Sequence, residues 1–184
     1  MAKKSRINKT AVIVSFLLNP LIMVFLQILL IHRVYNISLE SIFLTTSAFI
    51  VPVIGYILFA VVITKRADYE FTNKESRFPV LVIALLGLII SIAISLQINS
   101  VLTEYLLKFL VIMLILSILT YYWKVSFHAT FFGLTVLYFA SLVSSVLLLL
   151  YILLPLLFWA RMELKKHTQL QLIIGSLIPL IAVL

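Results

Sequence analysis

ATFFGLTVLYFASLVSSVLLLLYILLPLLFWA, residues 129–160, is the stretch whose reading decides the fold. It holds no charged residue between His128 and Arg161. A single α-helix through it would be roughly 48 Å long at about 1.5 Å per residue, against a hydrocarbon core about 30 Å thick. It is therefore read as two crossings. The only polar cluster available for a turn is Ser141 to Ser145. Lys124 and Lys166 then bracket two helices of about 20 residues each, the length that spans a bilayer.

The rest of the chain follows the same pattern. Of its 184 residues, 64% are hydrophobic and 11% charged, and the mean hydropathy is +1.26. A soluble domain of this size could not cover so much apolar surface, so the chain reads as an integral membrane protein. Apolar runs cover residues 11–31, 41–63, 78–96, 105–122 and 168–184 besides the central pair. The expected fold is all-α: one polytopic membrane bundle of six to seven transmembrane helices, residues 1–184, with tight turns. Continuous apolar runs, without the period-two alternation of membrane barrels, exclude a β-barrel. The run from Ala11 is too long for a signal-peptide core and lacks a small-residue cleavage site, so it is read as a retained span. With no cysteine, disulfides and thiolate metal sites are excluded. Nothing in the sequence sets an oligomeric state.

The net charge is +8, but the basic residues lie mostly between apolar runs. That placement favours lipid headgroups or an anionic substrate over nucleic acid. Residues 1–10 carry Lys3, Lys4, Arg6 and Lys9 without an acid, a basic tail expected on the cytoplasmic side. Three further polar segments stand at the edges of apolar runs: residues 73–79, 124–128 and 161–167. Together they hold two of the three histidines and six basic residues. With the tail inside and each run crossing once, all three fall on the tail's side. That shared side depends on the turn at Ser141 to Ser145.

His128 and His167 are the candidate acid, base or nucleophile, since imidazole titrates near neutrality. An interfacial histidine bonded to backbone is the commoner case for either one alone; it is their recurrence beside cations that points to chemistry. Arg77 and Arg161 offer planar forks of donors suited to phosphate. Arg161 and His167 are six residues apart and would point about 240° apart on one straight helix. They converge only if a helix ends between them, near Lys165-Lys166. His167 and Gln171 are four apart and share a helix face, so Gln171 can orient the imidazole. Ser126 and His128 flank Phe127 at a helix start, where backbone N–H groups face an anion. Lys65, Arg66, Lys165 and Lys166 read as headgroup anchors, a reading as good as phosphate binding for Lys124. Tyr121, Tyr122, Trp123 and Trp159 read as interfacial aromatics.

The segments Lys74-Glu-Ser-Arg77-Phe-Pro79, Val125-Ser126-Phe127-His128 and Arg161-x5-His167-x3-Gln171 resemble, in order and chemistry, the three motifs of the type 2 phosphatidic acid phosphatase superfamily. Those motifs are Lys-x6-Arg-Pro, Pro-Ser-Gly-His and Ser-Arg-x5-His-x3-Asp. The third match is the best, and Gly175-Ser176 continues it. The resemblance covers residues 73–184. It implies that His167 is a nucleophile forming a phosphohistidine, supported by Gln171, and that His128 protonates the leaving alkoxide. It also implies that Arg77, Arg161, Lys74, Ser126 and Lys124 bind the phosphoryl oxygens. The implied reaction needs no metal or cofactor, and its substrate is a lipid phosphate or polyprenyl diphosphate.

The departures are equally concrete. The lysine stands three residues before Arg77, Phe78 separates Arg77 from Pro79, Phe127 replaces glycine, and Gln171 replaces aspartate. They support one rival, a non-catalytic relative that binds an anionic lipid. A second rival is an unrelated small transporter or assembly factor, in which the three segments would not converge. A transporter also calls for polar groups at mid-span. Scattered Ser91, Ser95 and Ser117, which helices tolerate readily, do not supply them. The one charge inside a run, Lys108, sits near its start and is placed to snorkel.

Overall fold

The computed structural model describes residues 8–65 and 74–183, excluding the side chains of residues 74–76, 182 and 183. Every regular element among them is helical. Five helical stretches are long and apolar enough to cross a membrane: Lys9–Tyr35, Leu39–Ile63, Arg77–Ile98, Ser100–Tyr122 and Ser145–Glu163. Two shorter apolar helices, Phe127–Leu142 and Gln169–Ile181, accompany them. The protein is all-α with spans of membrane length.

The first run is interrupted where hydropathy shows nothing. Helix α1 (Lys9–Leu17) stops before α2 (Pro20–Tyr35). Pro20 has no N–H to continue the ladder but suits a first helical position. The Asn19 side chain accepts from Leu21 N at 2.9 Å and caps the new start. Helix α2 then runs into the turn expected at residues 32–40 and ends at Tyr35, before Asn36, which adopts φ 51°. His32, in its last turn, lies 2.6 Å from the Ile37 carbonyl. A carbonyl can only accept, so Nδ1 carries the proton. This third histidine is of the backbone-bonded kind.

The chain divides into two compact units. One comprises residues 31–124 and 181–184. In it, α3 (Leu39–Leu58) continues as a π-helical turn, Phe59–Ile63, and packs on α4 (Lys74–Ile98), which packs on α5 (Ser100–Tyr122). The expected turn over residues 97–104 shrinks to Asn99, whose side chain accepts from Val101 N and Leu102 N. One well-placed cap lets both helices run to the corner. Thr103 donates to Ser95 at 2.9 Å across it. Lys108 pairs with Glu104 at 2.7 Å, an i,i+4 contact that keeps its charge at the helix start.

Gly87 sets the approach of α4 to α3. A Cβ there would lie 2.7 Å from the Ala48 carbonyl oxygen and 2.8 Å from Phe49 Cα. Both are backbone atoms that cannot rotate away. Gly87→Ala is expected to destabilise this unit by about 1–3 kcal/mol, the usual cost of overpacking, read as a lowered midpoint of thermal unfolding in detergent.

The other unit comprises residues 1–30 and 125–180. In it the run 129–160, expected as two crossings, divides into two helical stretches, of which Ser145–Glu163 is long enough to cross a membrane and Phe127–Leu142 is shorter. Helix α6 (Phe127–Leu142) ends, and Ser144 turns extended and accepts from Val146 N. The chain returns as a 3-10 helix, Ser145–Leu153, continuing into α7 (Leu154–Glu163). Nine residues is long for a 3-10 helix. Helix α8 (Gln169–Val183) follows. Every residue of α6 from His128 to Tyr138 is buried, as suits a helix apolar on all sides. Its two threonines bond inside the unit. Thr135 donates to Phe131 O and accepts from Gln27 Nε2 at 2.7 Å, while Thr130 donates to Gly175 O at 2.8 Å. Tyr151 donates to Gly133 O at 3.2 Å and holds the 3-10 segment against α6.

Candidate functional site

The corner between α7 and α8 organises the site. Helix α7 ends in a Schellman motif: Lys166 N–H donates to Arg161 O at 3.0 Å and Lys165 N–H to Met162 O at 2.8 Å. Lys165 occupies the left-handed position, φ 54°, that glycine usually fills. This is the helix end needed between Arg161 and His167. Arg161 sits in the last turn of α7, where the helix dipole favours a cation. His167 comes off the far side of the corner, just before α8.

Gln171 holds His167. The two side chains meet at 3.1 Å, His167 Nδ1 to Gln171 Oε1. Thr168 N–H donates to the same Oε1 at 3.2 Å, and Gln171 N–H points back at Thr168 Oγ1 at 3.5 Å. This Thr-x-x-Gln pair is a capping box. It also settles two ambiguities. A backbone N–H can only donate, so the Gln171 atom facing it is the carbonyl oxygen. That oxygen can only accept, so His167 Nδ1 carries a proton, and in the neutral imidazole the lone pair is on Nε2.

The start of α6 joins this corner. Ser126 N–H donates to Gln171 O at 3.4 Å. The Ser126 hydroxyl accepts from Ala129 N–H at 3.4 Å, so its local task is to cap α6. Gly175 makes the join possible, because a Cβ there would lie 2.7 Å from Ser126 O. Ser126, His128, Arg161 and His167 are all buried, Arg161 to 2% exposure. Its Nη1 donates to Ser15 Oγ on α1 at 2.6 Å.

The expected residues divide as follows. Ser126, His128, Arg161, His167 and Gln171 all belong to the unit built on α6, α7 and α8. Ser126, His167 and Gln171 form one hydrogen-bonded set in it. Arg77 is buried and Lys124 half-buried, both in the other unit. The Lys74 side chain and residue 73 lie outside the described residues, as do Lys3, Lys4 and Arg6 of the tail. The region of resemblance, residues 73–184, draws on both units. Among the described residues no group of three or more His, Asp or Glu could hold a metal ion.

Three residues escaped the sequence reading. Thr168 had a visible signal, the Thr-x-x-Gln spacing. Thr130 and Ser15 had none, because their partners lie 45 and 146 residues away. No protein-family model, curated protein or solved structure matches the chain.

Proposed function

We propose that this chain is an integral membrane phosphatase for a lipid phosphate or diphosphate, acting through a phosphohistidine at His167. The observation that carries this reading is the Gln171–His167 contact, with its proton assigned by Thr168. It presents Nε2 as the lone-pair nitrogen while Nδ1–H is held from behind, the state an attacking imidazole needs. As Nε2 attacks phosphorus, the P–O bond to the alkoxide breaks and the ring becomes cationic. The Gln171 carbonyl dipole faces that developing charge. His128, at the start of α6, supplies the proton to the leaving oxygen and later takes one from the water that cleaves the P–N bond. Arg161 stabilises the equatorial oxygens. The resemblance to type 2 phosphatidic acid phosphatases supplies this order of roles. It also names Arg77, Lys74 and Lys124, which belong to the other unit, and the reading of this unit stands without them. Six or seven of the helical stretches cross the membrane in this reading, and the basic tail puts the site on the cytoplasmic side.

The test is inorganic phosphate release by the purified protein in metal-chelated buffer, offered phosphatidic acid, a phosphatidylglycerol phosphate and a polyprenyl diphosphate in turn. Turnover of at least one is expected. The isosteric Gln171→Glu keeps both hydrogen bonds and adds a charge against the imidazolium, so it should raise turnover about tenfold, whereas Gln171→Leu should lower it by a similar factor. Stable protein without release from any of the three, in wild type or Gln171→Glu, sinks the catalytic reading.

A second reading has its own observation. Both Ser126 and Gln171 have local tasks, as a helix cap and in a capping box. A non-catalytic relative that binds an anionic lipid would keep the same contacts, and lipid binding without phosphate release identifies it.

A further inference from the structure

We propose that Ser15 is the positioning residue of Arg161, so that α1 takes part in gripping the phosphoryl group. The inference rests on the phosphate-site reading of the α7–α8 corner, and within that reading it recruits a helix outside the stretch that carries the family resemblance.

The geometry is specific. Arg161 Nη1 donates to Ser15 Oγ at 2.6 Å. Arg161 is 2% exposed and Ser15 4%. Helix α1 packs on α7 and buries only Ala11 and Ser15. These are four residues apart and therefore stacked on one face. Both are small, which lets the two backbones approach. Val12, Ile13, Phe16 and Leu17 of α1 are apolar and exposed, Phe16 to 60% and Ile13 to 58%. The one buried polar side chain of α1 thus ends on the guanidinium.

A guanidinium has five donors in a rigid plane. Fixing one of them by a short bond fixes the direction of the others. A long side chain held in this way loses less rotamer freedom when an anion arrives. Ser15 would then act through Arg161 without touching the substrate. Asn8 caps α1 by accepting from Thr10 N–H and Ala11 N–H, so the helix that presents Ser15 has its own start signal.

The test is a double-mutant cycle on binding, with hydrolysis followed separately. The full-length protein is placed in nanodiscs and titrated with a non-hydrolysable phosphonate analogue of phosphatidic acid. Ser15→Ala is expected to weaken binding about tenfold, and Ser15→Thr, which keeps the hydroxyl, to restore it to within about twofold. In an Arg161→Met background, which keeps the packing and removes the fork, Ser15→Ala should have no further effect. An equal loss in both backgrounds means that Ser15 serves only α1–α7 packing and overturns the proposal. So does a Ser15→Ala protein that binds as wild type does, or a wild type that does not bind. Phosphatidic acid hydrolysis by the wild type, run in parallel, bears on the catalytic reading alone: binding with the expected coupling but no hydrolysis removes the enzyme and keeps the role of Ser15.

Discussion

His167→Ala is expected to abolish phosphate release, by at least about a thousandfold, while the protein stays folded. Removing the proposed nucleophile would remove the covalent route, and groups that work as a unit lose nearly everything together. Folding should survive because the Gln171 carbonyl keeps its bond from Thr168 N–H at 3.2 Å, so α8 keeps its capping box. Trapping separates the histidines. With p-nitrophenyl phosphate, whose leaving group needs little protonation, acid-labile protein-bound phosphate should form in wild type and in His128→Ala. It should be absent in His167→Ala. Bound phosphate that persists in His167→Ala would move the nucleophile elsewhere.

Gly175→Ala is expected to cost about a hundredfold in turnover, though it adds a single carbon. Its Cβ would stand 2.7 Å from Ser126 O and 3.3 Å from Ala129 Cβ. The start of α6 must then move off α8. That shift breaks the Ser126 N–Gln171 O and Thr130–Gly175 O bonds and moves the α6 start, which carries His128, relative to α8. Displacements near 1 Å are enough for losses of about this size. Gly55→Ala is the control, because nothing lies within 4 Å of a Cβ there. As a mid-helix substitution it should stabilise the protein by up to about 1 kcal/mol. Equal activity in the two variants would show that the α6–α8 approach does not set the site.

Several features were legible in the sequence for identifiable reasons. The break within residues 129–160 follows from helix rise against bilayer thickness, and the serine cluster marks its place. The corner between Arg161 and His167 follows from angular spacing, whereas the Gln171 contact, expected from a shared helix face, forms with His167 ahead of α8, through the amide that caps it. These arguments are local, and local rules reach about one helical turn. The interruption at Asn19–Pro20 was equally local but was hidden by unbroken hydropathy. The two turns read as polar stretches, over residues 32–40 and 97–104, shrink because single caps suffice. The 3-10 backbone of Ser145–Leu153 has no signature in a run of leucines. Ser15 and Thr130 act across 146 and 45 residues, distances at which only the tertiary fold defines neighbours. Gln171 caps α8 with the same amide oxygen that holds His167.

The lengths of α6 and its return segment carry a consequence for the lipid itself. With 16 residues, α6 is about 24 Å long. The nine-residue 3-10 stretch rises about 2.0 Å per residue and α7 about 1.5 Å. Ser145–Glu163 therefore extends to roughly 33 Å, although it has only three residues more than α6. In the proposed membrane arrangement a helix of about 24 Å falls roughly 6 Å short of a hydrocarbon layer about 30 Å thick. Lipid does not meet that shortfall, because α6 is buried from His128 to Tyr138. It meets the return segment, whose Val146, Leu149 and Ile152 are exposed and whose length of roughly 33 Å matches the layer. Acyl chains then need neither shorten nor tilt around the short helix, because its longer neighbour screens it from them.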